Sequence, residues 1–263
     1  MHKARKRFGQ NFLHDAGVID RIVKSIAPKP GQHMVEIGPG QGALTEPLLE
    51  ATGGDLDVVE LDRDLIPILR TRFFRASALR IHEADALTFD YGTLINDERP
   101  LRLVGNLPYN ISTPLMFHLL NESERIHDMH FMLQKEVVQR LCAAPGDNAY
   151  GRLSIMMQYR CEARYLFTVP PGAFTPAPKV ESAIVRLNPR KTLPFVARDH
   201  KKFEIVVRTA FGQRRKTLRN NLKTLISAEQ LETIGINPGL RAETLSIEQF
   251  VNIANAMSNA EAS

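Results

Sequence analysis

Tryptophan is absent from this chain of 263 residues, cysteine occurs only at Cys142 and Cys161, and aromatic residues make up 7% of the whole. Two thiols with neither close pairing nor metal-ligand spacing exclude a disulfide framework and a zinc-bound scaffold, so the fold must rest on an ordinary hydrophobic core. Long apolar runs are missing too. No stretch approaches the roughly eighteen residues that a bilayer crossing needs, and His2-Lys3-Ala4-Arg5-Lys6-Arg7-Phe8 lacks the apolar centre of a signal peptide. The expectation is a cytoplasmic protein with no membrane and no metal requirement.

Negative charge is scarce in one region only. Residues 1–188 carry as many acidic as basic residues, so the net charge of +5 comes entirely from residues 189–263. Between Lys201 and Lys223 eight basic residues (Lys201, Lys202, Arg208, Arg214, Arg215, Lys216, Arg219 and Lys223) face the single acid Glu204, and Lys3, Arg5, Lys6 and Arg7 form a second cluster. Such clusters neutralise phosphates and release counterions, which points to a nucleic-acid partner, although a solvated helix face has the same composition.

The body of the chain alternates between two periods. Asp15 caps a helix whose apolar face is Val18, Ile19, Ile22, Val23 and Ile26, and which ends at Pro28. Strands are predicted over Met34-Ile37, Leu56-Leu61, Leu79-His82, Leu101-Gly105 and Met129-Leu133, with helices over Leu44-Ala51, from a cap at Asp62 to Phe74, and over Ser112-Leu120. Alternation of this kind makes a parallel sheet. Helices around Lys135-Ala143 and Tyr150-Cys161 precede two closing strands, Ala163-Val169 and Val180-Leu187, which brings the strand total to seven. Beyond residue 188 only helices are predicted (Phe203-Phe211, Thr217-Leu225, Ala228-Ile234, Ile247-Met257). The expected division is therefore an α/β domain over 1–188 and a basic helical domain over 189–263.

Two strand ends carry chemistry. At the first, Glu36-Ile37-Gly38-Pro39-Gly40-Gln41-Gly42 lets a ligand approach the backbone, but its Gly-x-Gly-x-Gly spacing departs from the Gly-x-Gly-x-x-Gly that seats a dinucleotide pyrophosphate. Glu60 ends the second strand, where a carboxylate accepts ribose hydroxyls, and Asp85 follows the third, within reach of an adenine amino group. Together they favour an adenosine-bearing donor without pyrophosphate, S-adenosyl-L-methionine, over NAD. At the fourth strand end, Asn106-Leu107-Pro108-Tyr109 sets an amide, a rigid proline and an aromatic ring side by side. An adenine N6 is a poor nucleophile that must be held by acceptors. The Asn106 oxygen and a main-chain carbonyl near Pro108 meet that need while Tyr109 stacks on the base. A strand end followed by a turn uses the same residues for backbone reasons alone.

With these motifs in order, the chain resembles the ribosomal RNA adenine dimethyltransferase family. Arg5 to Leu13 resembles its N-terminal cofactor segment, Glu36-Gly40 its glycine loop, Val59-Glu60-Leu61-Asp62 its ribose strand and Asn106-Tyr109 its catalytic motif. Phe174-Thr175-Pro176-Ala177-Pro178-Lys179-Val180 resembles the loop bearing a second aromatic, and Phe211-Thr217 the start of its small helical domain, where Gly212 replaces a residue more often polar and is expected to loosen that helix start. The resemblance implies a Rossmann-like seven-stranded methyltransferase domain with a helical appendage. It also implies cofactor contacts at Asn11, Leu13, Gly38, Glu60, Asp85 and Asn106, and catalytic roles for Asn106, Leu107, Pro108, Tyr109 and Phe174. RNA contacts are expected at Arg5, Lys6, Arg7, Arg214, Arg215, Lys216, Arg219 and Lys223. The expected activity is N6,N6-dimethylation of two adjacent adenosines near the 3′ end of 16S rRNA in the immature small ribosomal subunit, by a monomer. The alternatives are the erythromycin-resistance type that modifies 23S rRNA, and a non-catalytic RNA-binding assembly or transcription factor.

Overall fold

Asp15 caps α1 (Ala16–Ile26) by accepting the Val18 N–H at 2.9 Å, and the helix stops where Ala27 turns left-handed ahead of Pro28. The structure, a computed structural model, describes residues 10–260. The chain then enters β2 (His33–Ile37), α2 (Thr45–Thr52), β3 (Leu56–Glu60), α3 (Leu65–Arg72), β4 (Leu79–Glu83), β5 (Leu101–Asn106), α4 (Ser112–Leu120) and β6 (Ile126–Gln134), with a short β1 (Phe12–Leu13) ahead of α1. Pro114 falls in the first turn of α4, where its missing N–H is harmless. After α5 (Lys135–Cys142) and α6 (Arg152–Arg160) come β7 (Cys161–Val169), β8 (Phe174–Thr175) and β9 (Ser182–Pro189).

Seven strands form one sheet in the order β4-β3-β2-β5-β6-β9-β7. Pairing is parallel from β4 to β6, and β9 lies antiparallel on β6 with Gln134 opposite Ser182. Strands β2 and β3 are buried along their whole length, as helices on both faces of a parallel sheet require. Succession runs outward from β2 to β4 and then returns to β5 on the other side of β2, so the switch point lies between β2 and β5. Ligands of open α/β sheets bind beyond the strand ends there.

Three local expectations are corrected. Asp62 does not cap α3; its Oδ1 accepts the Asp64 N–H at 3.1 Å in a tight turn, and the helix begins at Leu65. The helix expected over Thr217-Leu225 shrinks to α8 (Leu218–Asn221). There the Asn221 amide leaves the helix pattern to donate to the carbonyls of Ala210 and Gln213 at 2.8 and 3.0 Å, a competition typical of Asn. Gly212 sits in the turn past α7 (His200–Ala210), not at a helix start, where a Cβ would lie 3.1 Å from the Thr209 carbonyl oxygen.

The chain divides into two compact units, the first holding residues up to Val138 together with Glu162–Pro189, the second Gln139–Cys161 together with Arg190–Ser263. One passage of the chain lies at Pro189–Arg190, next to the compositional change at 188. Residues Gln139–Cys161 go to the second unit, because the Tyr150 hydroxyl donates to the Leu245 carbonyl at 2.8 Å and the Ala197 N–H donates to the Tyr159 hydroxyl at 3.1 Å. That unit builds its own core from Phe203, Val206, Val207, Leu218, Leu231 and Phe250 on α7, α8, α9 (Ala228–Thr233) and α10 (Ile247–Ala260). Among the described residues no helix is long and apolar enough to cross a membrane.

Candidate active site

The glycine loop is shaped from outside. Gly38, Gly40 and Gly42 all have φ between 59° and 88°, which side chains with a Cβ rarely adopt, and a Cβ on Gly42 would lie 2.6 Å from the Phe73 ring. The Gly38 N–H donates to the Val59 carbonyl at 2.9 Å, and the Arg72 guanidinium donates to the Gln41 carbonyl at 2.8 Å. The inner side of the loop therefore stays open to a cavity of about 210 Å³ at the ends of β2 to β5.

Four acids line that cavity, Glu36, Glu60, Asp62 and Asp85, and among the described residues its lining includes no Lys or Arg. Glu60 is nearly buried; its Oε1 accepts the Asp62 N–H at 2.8 Å and its Oε2 the Gly40 N–H at 3.3 Å, while burial raises its pKa above the usual carboxylate value. Glu36 accepts the Thr45 hydroxyl at 2.6 Å. Burial, reinforced by the nearby Glu60 charge, pushes its carboxyl up to about 7. Asp85 accepts the Leu87 N–H at 2.9 Å on Oδ1, which fixes its orientation. Four carboxylates on one wall disfavour a pyrophosphate and suit a cationic ligand.

The acceptor side is built from β5. Gly105 presses on β2 so closely that a Cβ would sit 2.5 Å from the Ile37 carbonyl oxygen. Next, the Asn106 Nδ2 donates to the Asn11 main-chain carbonyl at 3.1 Å. A carbonyl can only accept, so this bond identifies which end of the amide is nitrogen and leaves Oδ1 as the end able to accept. Leu107 is tied by its N–H to the Met132 carbonyl at 3.2 Å, and the Pro108 carbonyl accepts the Ile111 N–H at 3.2 Å. The half-buried Tyr109 lines the cavity with Asn106, Leu107 and Pro108, and its hydroxyl lies 2.8 Å from Ser182 Oγ.

Asn11 and Leu13 reach the cavity through a strand pair that periodicity could not reveal. β1 lies antiparallel on β8, with Phe12 opposite Thr175 and Leu13 opposite Phe174. Gln10 adds a hydrogen bond of 2.7 Å to Asp62. Phe174 is brought to this ladder and not to the cavity: its ring is 3% exposed and belongs to the core cluster that includes Leu13, Ile22 and Phe167. A base can stack on it only if that cover is displaced.

Arg214, Arg215, Lys216, Arg219 and Lys223 are exposed in the second unit, with Arg214 also donating to the Asn148 carbonyl at 2.7 Å. Arg5, Lys6 and Arg7 lie outside the described residues. Gln10, Gly105 and Ser182 escaped the sequence reading, as did the role of Glu36 in the cavity. Of these, Gln10 falls within the Arg5 to Leu13 cofactor segment, and Glu36 left a signal as an acid interrupting the apolar strand Met34-Val35-Glu36-Ile37.

A mostly parallel sheet with its switch-point cavity, a glycine loop too short for pyrophosphate, and an acidic wall define a Rossmann-like methyltransferase. The chain belongs to the ribosomal RNA adenine dimethylase family, whose model matches residues 1–259. It is 64% identical to the ribosomal RNA small subunit methyltransferase A of Marinobacter nauticus over 98% of this chain and 93% of that one. The protein of the same name from Pseudomonas syringae pv. tomato is 60% identical over 98% and 96%. Among solved structures, a dimethyladenosine transferase from Plasmodium falciparum shares the fold with a TM-score of 0.77 at 24% identity, covering 92% of this chain and 95% of that one. The 23S rRNA methyltransferase ErmE gives 0.73 at 25%, covering 94% and 100%. The family is S-adenosylmethionine-dependent, and the cavity fits that cofactor. Its glycines admit a close ligand, Glu60 offers oxygens to a diol, Asp85 offers one to an amino group, and the acidic lining suits a sulfonium cation.

Proposed function

We propose that this protein dimethylates N6 of two adjacent adenosines in a hairpin near the 3′ end of 16S rRNA, within the immature small ribosomal subunit, as a cytoplasmic monomer that needs no metal. The observation that carries the reading is the oriented amide of Asn106, whose nitrogen is committed to Asn11 and whose oxygen remains to accept. Asn11, Leu13, Gly38, Glu60, Asp85 and Asn106 would hold S-adenosyl-L-methionine, which would supply an electrophilic methyl group. Asn106 Oδ1 takes one N–H of the adenine. A main-chain carbonyl near Pro108 is the second acceptor. Holding both protons in the plane of these acceptors turns the nitrogen lone pair toward the cavity. Asn is no base, so positioning carries the rate. Transfer would break the sulfur–methyl bond to leave a neutral thioether, and the cationic methylated nitrogen would release one proton to water; it then keeps a single N–H, and Asn106 alone suffices to orient it. Tyr109 offers its ring for stacking, and Phe174 would join it only if its core cover were displaced.

The exposed Arg214, Arg215, Lys216, Arg219 and Lys223 would hold RNA phosphates, with Arg5, Lys6 and Arg7 adding to them. This functional division, a methyl-transfer domain and a basic RNA-holding appendage, belongs to the proposal. A small-subunit target is favoured over a 23S target because the relatives named for the small subunit are 60–64% identical, against 25% for ErmE. A purely RNA-binding role is disfavoured because Glu60, Asp85, Asn106 and Tyr109 all line one cavity. The test offers labelled cofactor with immature small or large subunits to wild type and Asn106→Ala. Transfer to the small subunit should fall by roughly 100-fold in the variant. Wild-type transfer by the variant, or preference for the large subunit, would refute the assignment.

A further inference from the structure

Stacking on a base needs only an aromatic face, so the hydroxyl of Tyr109 calls for a separate explanation. It meets Ser182 Oγ at 2.8 Å, across 73 residues of chain. Ser182 is 1% exposed and opens β9 opposite Gln134 of β6. The start of β9 is itself fixed: the Lys135 N–H donates to the Glu181 carbonyl at 3.0 Å and the Lys135 ammonium pairs with the Glu181 carboxylate at 2.7 Å. The same two strands grip the acceptor turn a second time, through Leu107 N–H to the Met132 carbonyl on β6. On its other side the turn is closed by the Ser112 hydroxyl, which donates to the Tyr109 carbonyl at 3.2 Å. Tyr109 is thus held at its backbone by the turn and at its far end by the sheet. Burial raises the phenol pKa above its ordinary value, so the hydroxyl stays neutral and available for this bond.

We infer that Ser182 is a positioning residue, whose hydroxyl fixes the Tyr109 ring in the plane that receives the target adenine. The inference rests on the reading that Tyr109 stacks on that base. A side chain with two rotatable bonds, anchored at both ends, loses little freedom when the base arrives; unanchored, it must be ordered during substrate capture. Ser182 therefore acts through Tyr109 and touches neither cofactor nor base.

The experiment compares full-length wild type, Ser182→Ala, Ser182→Thr, Tyr109→Phe, the Ser182→Ala/Tyr109→Phe pair and Tyr109→Ala. Methyl transfer to immature small subunits is measured, with cofactor affinity by calorimetry and the ring environment by fluorine NMR of 3-fluorotyrosine protein, where Tyr109→Phe assigns the Tyr109 signal. Ser182→Ala should shift and broaden that signal. It and Tyr109→Phe should each lower kcat/KM roughly tenfold through capture of the target base, with cofactor affinity unchanged. The double variant should lose no more than either single one, and Ser182→Thr, which keeps the hydroxyl, should retain most activity. An unaltered Tyr109 signal in Ser182→Ala, unchanged transfer, or losses that multiply in the double variant would overturn the inference. Unchanged transfer in Tyr109→Ala would instead refute the stacking role on which it rests.

Discussion

Replacing Glu36 by Gln tests whether the cavity holds a carboxyl that titrates near neutrality. Glu36 is 2% exposed, and its pKa in the folded protein rises from 4.5 to about 7 because burial disfavours the charged form. A folded value above the unfolded one means that the native state binds the extra proton. Its contribution to stability is fully present below pH 4.5 and is lost as the pH rises through 7. A shift of that size corresponds to about 3 kcal/mol by pH 8. The buried His130 acts in the opposite sense: burial pushes it down to about 4, so its contribution is present above pH 6.5 and lost as pH falls toward 4. The difference between wild type and Glu36→Gln cancels His130 and isolates the carboxyl. Gln keeps the shape and an oxygen for the Thr45 hydroxyl. Urea unfolding at pH 5, 6, 7 and 8 should show little difference at the lowest pH and a variant more stable by up to about 3 kcal/mol at the highest. Parallel pH profiles for the two proteins would refute the reasoning.

The same carboxyl predicts proton-linked cofactor binding. A cationic ligand favours ionised Glu36, so wild-type affinity for S-adenosyl-L-methionine should rise between pH 6 and 8 with proton release, seen by calorimetry in buffers of different ionisation enthalpy; Glu36→Gln should bind more weakly and lose that dependence. Gly105→Ala should place a methyl against the Ile37 carbonyl, costing about 1–3 kcal/mol in chemical unfolding and displacing Asn106, so that transfer falls while the chain still folds. Arg102 is 7% exposed and uses every donor, two on Asp128 at 2.8 Å and the others on Gln32 and the carbonyls of Ile26 and Ala27. Arg102→Ala should destabilise by about 3–5 kcal/mol because Asp128 stays buried without its partner, and Arg102→Met with Asp128→Leu should recover most of that.

Much of the scaffold was legible because its signals are local. The cap at Asp15, the apolar period of α1 and the alternation of strands with helices depend on residues within a turn or two of one another. That alternation placed the glycine loop, Glu60, Asp85 and Asn106 at the strand ends that face one crevice. Asp62 and the 217–225 segment were misread where short polar side chains, Asp62 and Asn221, spent their hydrogen bonds on neighbouring backbone in turns rather than on helices.

The sequence by itself determined the α/β framework, the candidate cofactor and acceptor motifs, and the basic composition of the C-terminal residues, since each is written in spacing and charge. Only the tertiary structure decided which end of the Asn106 amide is left to accept, because its partner lies 95 residues away. It alone decided that Leu13 pairs with Phe174 and buries that ring, that Ser182 holds Tyr109, and that Glu36 is buried deeply enough, with Glu60 nearby, to resist ionisation. Hydrogen-bond direction, exposure and charge coupling depend on distances through space, which no period along the chain records.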